Sequence, residues 1–143
     1  LVAALAASAT WVSPTVNAGW LRRRVDAEGR PSEFFGRMSN CLARQREAGV
    51  RMIASTDAGI PGVFHHELAA GLEAFACYSG ARPVDVLRAA TVDAAEALGL
   101  SGVTGRIAPG LDADLVVLPG DPTRDLTHLR DPLAVVARGR WFA

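Results

Sequence analysis

Few residues in this chain have the type and spacing to do chemistry, and the first lies in Arg51-Met52-Ile53-Ala54-Ser55-Thr56-Asp57-Ala58-Gly59. An apolar run ends there in Ser-Thr, one carboxylate, a small residue and a glycine. A carboxylate just past a strand can ligate a divalent metal and take a proton from its bound water. In α/β barrels catalytic groups stand at the C-terminal ends of strands. Asp57 could equally bond the amides of its own turn, a common use of aspartate, and spacing alone favours that plainer reading. His65-His66-Glu67 is the second candidate. Adjacent histidines on a helix point about 100° apart and cannot both face one metal. His66-Glu67-Leu68-Ala69-Ala70 also lacks the HExxH spacing of zinc peptidases. The default is a core-edge His65 and a solvated His66 on the polar side with Glu73. A substrate contact by His65 is the sharper alternative, because its helix starts right after the Asp57 loop.

Much other chemistry is excluded. All 15 basic residues are arginine, so no lysine is present to act as nucleophile, Schiff-base former or carbamylated metal bridge. GxSxG, GxGxxG and phosphate-cradling glycine loops are absent. Cys41 and Cys77 have no zinc spacing and read as buried thiols of a reducing compartment, the cytoplasm. His128 lies in a polar loop and reads as a surface residue. A formal net charge of zero argues against nucleic-acid or anionic-membrane binding. The opening Leu1-to-Trp11 stretch has an apolar run and a small-x-small Ala7-Ser8-Ala9, as a signal peptide does. It lacks a basic flank and an initiating methionine and is too short to span a bilayer.

The elements that must position these groups follow a helix–strand–loop rhythm. With 143 residues, half hydrophobic and 21% charged, the chain can bury one real core. Leu1 to Ser8 suits a helix end, and Thr10 to Ser13 a short strand closed by Pro14. Residues 16–30 read as an irregular loop whose Arg22-Arg23-Arg24 faces solvent. Ser32 caps a helix to about Ala48, with Gly49 as its stop and Phe34, Phe35, Met38 and Leu42 as its stripe. Val50 to Ala54 reads as a strand. A helix from Val63 to Ser79 presents Phe64, Leu68, Leu72 and Phe75 as a buried face. Pro83 opens a helix to Ala90, and Thr91 caps a shorter one with Val92, Ala95 and Leu98 inward. Beyond Gly102, Gly, Pro and Asp punctuate short Val/Leu runs at 114–118 and 134–137. Arg138-Gly139-Arg140 reads as a hairpin turn into Trp141-Phe142. The composition shift predicts a boundary near residue 100, between an α/β part (1–100) and a small β part (101–143).

The run Gly105-Arg106-Ile107-Ala108-Pro109-Gly110-Leu111-Asp112-Ala113-Asp114-Leu115-Val116-Val117-Leu118 resembles the closing signature of the amidohydrolase superfamily. Ala89 to Leu100 resembles the helix pair ahead of that signature, and Gly120-Asp121-Pro122 and Val135 to Arg140 continue the pattern. Ser55-Thr56-Asp57-Ala58-Gly59 is similar to the family's eighth-strand Thr-Asp, and Val12-Ser13-Pro14-Thr15 to its seventh strand. The branch most similar holds imidazolonepropionase-like hydrolases and Xaa-Pro dipeptidases.

The resemblance implies an α/β fold, the C-terminal portion of a (β/α)8 TIM-like barrel followed by a piece of a small β-sandwich. It reverses the reading of Asp57, which it makes a metal ligand and general base on a hydrolytic water. The implied activity is metal-dependent hydrolysis of an amide-type C–N bond in a small-molecule substrate. One or two divalent ions, zinc by the family's habit, would serve it, in a cytoplasmic enzyme that is a homo-oligomer at full length. His65 and His66 become candidate substrate contacts. The family's first-strand His-x-His, its bridging lysine and the histidines of strands five and six have no counterpart here, so the chain reads as the C-terminal third of such an enzyme. A single aspartate is not a zinc site, and the expectation is that this segment alone neither holds metal tightly nor catalyses. It should also expose apolar surface. The competing expectation is a truncated, non-catalytic binding or assembly module.

Overall fold

The computed structural model describes residues 1–142. Five α-helices precede a three-stranded sheet: α1 (Val2–Ala6), α2 (Glu33–Glu47), α3 (Leu68–Ser79), α4 (Pro83–Ala90) and α5 (Val92–Ala97). The strands are β1 (Leu115–Val117), β2 (Ala134–Ala137) and β3 (Arg140–Phe142), antiparallel in the order β1-β2-β3. No helix among the described residues is long and apolar enough to cross a membrane.

The core forms where α2, α3 and α4 meet. Leu42, Leu72, Phe75, Val86 and Ala89 are buried there with Tyr78. Trp20, Phe34 and Phe35 pack edge-on around the Tyr78 ring at 5.0, 6.1 and 4.9 Å between centroids. Burial pushes the Tyr78 phenol above its ordinary value. Its hydroxyl donates to the Trp20 carbonyl at 2.7 Å, so this buried polar group is satisfied. α2 begins where its cap does: the Ser32 hydroxyl accepts from the Phe35 N–H at 3.0 Å.

Several expectations are corrected. The strands at 10–13 and 50–54 shrink to one parallel bridge, Val12 with Met52. Val12 N–H donates to the Arg51 carbonyl and Ile53 N–H to that of Val12, but the next amide, Ala54 N–H, turns away to Ala89 at the end of α4. A ladder needs a partner at every second residue, and this pair has none beyond those bonds among the described residues. The loop at 16–30 contains a 3-10 helix, Ala18–Arg23, capped by Asn17, with Val16 and Ala18 buried. Arg23 is not simply solvated; its guanidinium sits 3.4 Å over the Phe34 ring. The helix expected from Val63 starts only at Leu68, after a 3-10 turn at His65–Glu67. Phe64 and Leu68 are consequently 55% and 47% exposed, while Leu72 and Phe75 are buried. Cys41 and Cys77 are free thiols, Cys41 exposed and Cys77 half-buried.

The β part is pinned by its aspartates. Arg138 and Gly139 both have positive φ, 48° and 75°, as a two-residue hairpin turn demands. Asp114 stabilises that turn by accepting from the Arg138 N–H at 2.9 Å and from the Thr104 hydroxyl at 3.0 Å. Those bonds hold its carboxyl below the ordinary carboxylate value. His128 is half-buried rather than a surface residue. It lies in a 3-10 helix, Leu126–Leu129, that buries Leu126 in the core, and its ring fills the space a side chain at Gly120 would need. The expected exposed apolar surface is present, with Ile107 and Leu98 at 88% and 68%.

Candidate active site

The Val12–Met52 bridge has two ends, and their chemistry differs. At the end where these segments enter, a cleft of about 370 Å³ is lined by Trp11, Arg51, Asp85, Asp93 and Glu96, among others. Its charges are spoken for: Arg51 pairs with Glu96 and lies 3.9 Å over the Trp11 ring, Arg82 holds Asp85, and Arg88 reaches Asp93. Paired charges of this kind are structural.

At the exit end the backbone is bent hard. Thr15 and Asp57 both adopt the left-handed region, with φ of 52° and 58°. Such a conformation costs a non-glycine residue about 1–3 kcal/mol and persists only where its surroundings enforce it. The two loops are tied across the chain: the Ser13 and Ser55 hydroxyls lie 2.6 Å apart, and the Thr15 N–H donates to Ser55 Oγ at 3.2 Å. Behind them α3 approaches closely at Gly71. A Cβ there would fall 2.6 Å from Thr56 Cγ2 and 3.4 Å from the Val16 carbonyl oxygen, so glycine is required for close passage.

The Asp57 side chain is exposed, and no hydrogen bond or ion pair to its carboxylate is found among the described residues. The following loop folds on itself: Gly59 N–H donates to the Val63 carbonyl at 3.0 Å and Val63 N–H to that of Ile60 at 3.1 Å. Val63 is buried as its anchor. A cavity of about 430 Å³ opens along residues 59–66. His65 is exposed and turns back over the loop, its Nε2 3.9 Å from where a Gly59 Cβ would stand. His66 is exposed and stacks on Phe64, 5.5 Å between centroids and 13° from parallel. The structure thus brings His65 towards the Asp57 loop, directs His66 to Phe64, and puts His128 elsewhere against Gly120.

Among the described residues no three His, Cys, Asp or Glu side chains converge to hold a metal ion. The donors present fit a single contribution to a metal site, not the site itself. The sequence reading missed Ser13, Ser55 and Gly71. Signals were available for two of them: a hydroxyl ahead of the carboxylate for Ser55, and for Gly71 a glycine inside a helical pattern, which marks close packing.

The fold is that of a hydrolase family. The profile of the Amidohydrolase family matches residues 2–142, and the chain belongs to that family. An imidazolonepropionase of Chloroflexus aggregans is 40% identical over 83 residues, which are 57% of this chain and 19% of that protein. A structure described as a prolidase from Bifidobacterium longum is 30% identical, with a TM-score of 0.79 over 93% of this chain and 35% of its own. A Xaa-Pro dipeptidase with methionine bound in its active site shares the fold at 23% identity, TM-score 0.73, over 93% of this chain and 34% of that one. The chain therefore spans about a third of the length of these structures.

Proposed function

We propose that this chain is the C-terminal part of a metal-dependent amidohydrolase, with residues 1–100 completing a (β/α)8 barrel and 101–143 contributing to a β-sandwich. The full-length enzyme hydrolyses an amide-type C–N bond in a small molecule, in the cytoplasm and as a homo-oligomer. The observation that carries this reading is the state of Asp57: a non-glycine residue in left-handed backbone just past the Val12–Met52 bridge, its carboxylate exposed beyond Thr56. Strain of this kind concentrates at functional sites, and strand exits are where such folds place their chemistry.

Asp57 takes a proton from the attacking water as the water oxygen bonds the carbonyl carbon. It returns that proton to the nitrogen as the C–N bond breaks. His65, and His66 with Phe64, contact the substrate along the 59–66 cavity. A divalent ion, zinc by family, when bound lowers the pKa of water and polarises the carbonyl. Asp57 would be one of its ligands, the rest lying outside this chain; the segment alone does not retain metal. The test is hydrolysis of an amide and dipeptide panel by the full-length protein and its Asp57→Asn variant. The variant should lose about 10²–10⁴-fold in kcat; turnover near the parent's would remove Asp57 from the chemistry. Retention of one equivalent of zinc by the isolated segment through dialysis would refute the division of ligands.

A further inference from the structure

Ser13 and Ser55 occupy matching places. Each stands two residues before a left-handed non-glycine residue, Thr15 after Ser13 and Asp57 after Ser55. Beyond Ile53 the parallel backbone bonds between the two segments stop. The Ser13–Ser55 hydroxyl contact at 2.6 Å takes their place, and Ser55 Oγ also accepts the Thr15 N–H at 3.2 Å. A serine hydroxyl has one proton and two lone pairs, so Ser55 can serve both partners at once. The next residue, Thr56, is backed by α3 at Gly71. Residue 55 is thus fixed from one side and residue 56 from the other, leaving Asp57 little choice of direction.

We infer that Ser55, through its bonds to Ser13 and Thr15, is the positioning residue that aims the Asp57 carboxylate. This rests on the reading of Asp57 as proton acceptor. The β-branched Thr15 is poorly suited to positive φ, so its backbone conformation depends on the bond its amide makes to Ser55. A hydroxyl at residue 55 therefore holds the two loops past the Val12–Met52 bridge in one register, and a misplacement of about 1 Å in a catalytic group can cost about a hundredfold in rate.

The test compares Ser55→Ala, Ser55→Thr and Ser13→Ala in the full-length protein. Hydrogen exchange at the Thr15 amide and across residues 55–58, read by mass spectrometry on metal-free protein, reports the latch directly. Ser55→Ala should exchange there about tenfold faster and lose about tenfold in kcat on an amide panel, with KM and melting temperature little changed. Ser55→Thr should restore both readouts. The double variant Ser13→Ala/Ser55→Ala should be no worse than Ser55→Ala, since both serines belong to one network. Unchanged exchange, unchanged kcat, a loss confined to KM, or a loss that tracks melting temperature would each overturn the inference. If Asp57→Asn abolishes turnover while Ser55→Ala leaves it intact, only the latch fails. If Asp57→Asn keeps turnover, the parent reading fails, and the exchange data still decide whether the latch exists.

Discussion

Two aspartate-bearing loops of this protein use the same side chain in opposite ways. In the 119–130 segment, Asp121 accepts from the Thr123 hydroxyl at 2.6 Å and its N–H at 2.9 Å, and Asp125 does the same for Thr127 at 2.7 and 2.9 Å. Both carboxyls are held below the ordinary value, Asp121 chiefly by the Thr123 hydroxyl and Asp125 chiefly by the Thr127 amide. Each folds its own turn. In the 55–67 segment the work is inverted: hydroxyls, backbone bonds and a glycine contact shape the loop, while the Asp57 carboxylate is left exposed. A carboxylate that stabilises its turn is occupied by that turn; one presented by a turn built from other groups is free for a substrate or a metal.

The contrast can be broken most forcefully at Asp57 itself, whose change to Asn should cost about 10²–10⁴-fold in kcat of the full-length enzyme. Asp125→Ala should leave kcat within about twofold and lower the melting temperature by about 2 °C, because it removes a cap and no chemistry. A large kcat loss in the second variant would erase the distinction between the loops. Gly71→Ala comes next. The new methyl meets Thr56, so the substitution should destabilise by about 1–3 kcal/mol and lower kcat as the Asp57 loop shifts. A stable variant of normal activity would show that α3 does not back the site.

Acid provides a gentler probe. Asp114, Asp121 and Asp125 have folded values below their ordinary 3.8. Their contribution is present above the unfolded value and is lost as pH falls through the lowered folded ones. Hydrogen-exchange protection in the β2–β3 hairpin and the 119–130 segment, taken relative to the intrinsic rate at each pH, should therefore fall below about pH 4. Protection there that does not respond to acid would mean these carboxylates stabilise nothing.

The sequence made some of this legible because certain signals are local. Ser32, Pro83 and Gly49 bracket α2 and α4 nearly to the residue, since a cap or a fixed φ acts within one turn. Arg138-Gly139 announced its hairpin for the same reason. Periodicity did less well at Phe64 and Leu68, whose spacing fits a buried face. The loop bonds from Gly59 to Val63 delay the helix and leave both side chains outside. Leu98 fails similarly, ending α5 beside an apolar cleft that nothing described covers. His128 and residues 16–23 were misjudged because polar or irregular sequence can still dock on a core through one or two apolar anchors, here Leu126, Val16 and Ala18. Asp57 was visible as a candidate from its position after a strand. The Ser13–Ser55 contact was not, because 42 residues separate its partners and no local pattern records it.

If Asp57 serves chemistry and not its own loop, thermal unfolding of full-length Asp57→Asn, compared with its parent after both are stripped of metal, will show it. Asparagine tolerates positive φ at least as well as aspartate, and the carboxylate makes no bond for the loop to lose among the described residues. The metal-free variant should melt at, or slightly above, the temperature of the metal-free parent. A fall of several degrees would show that the carboxylate holds its turn together, and the plainer reading of this residue would stand.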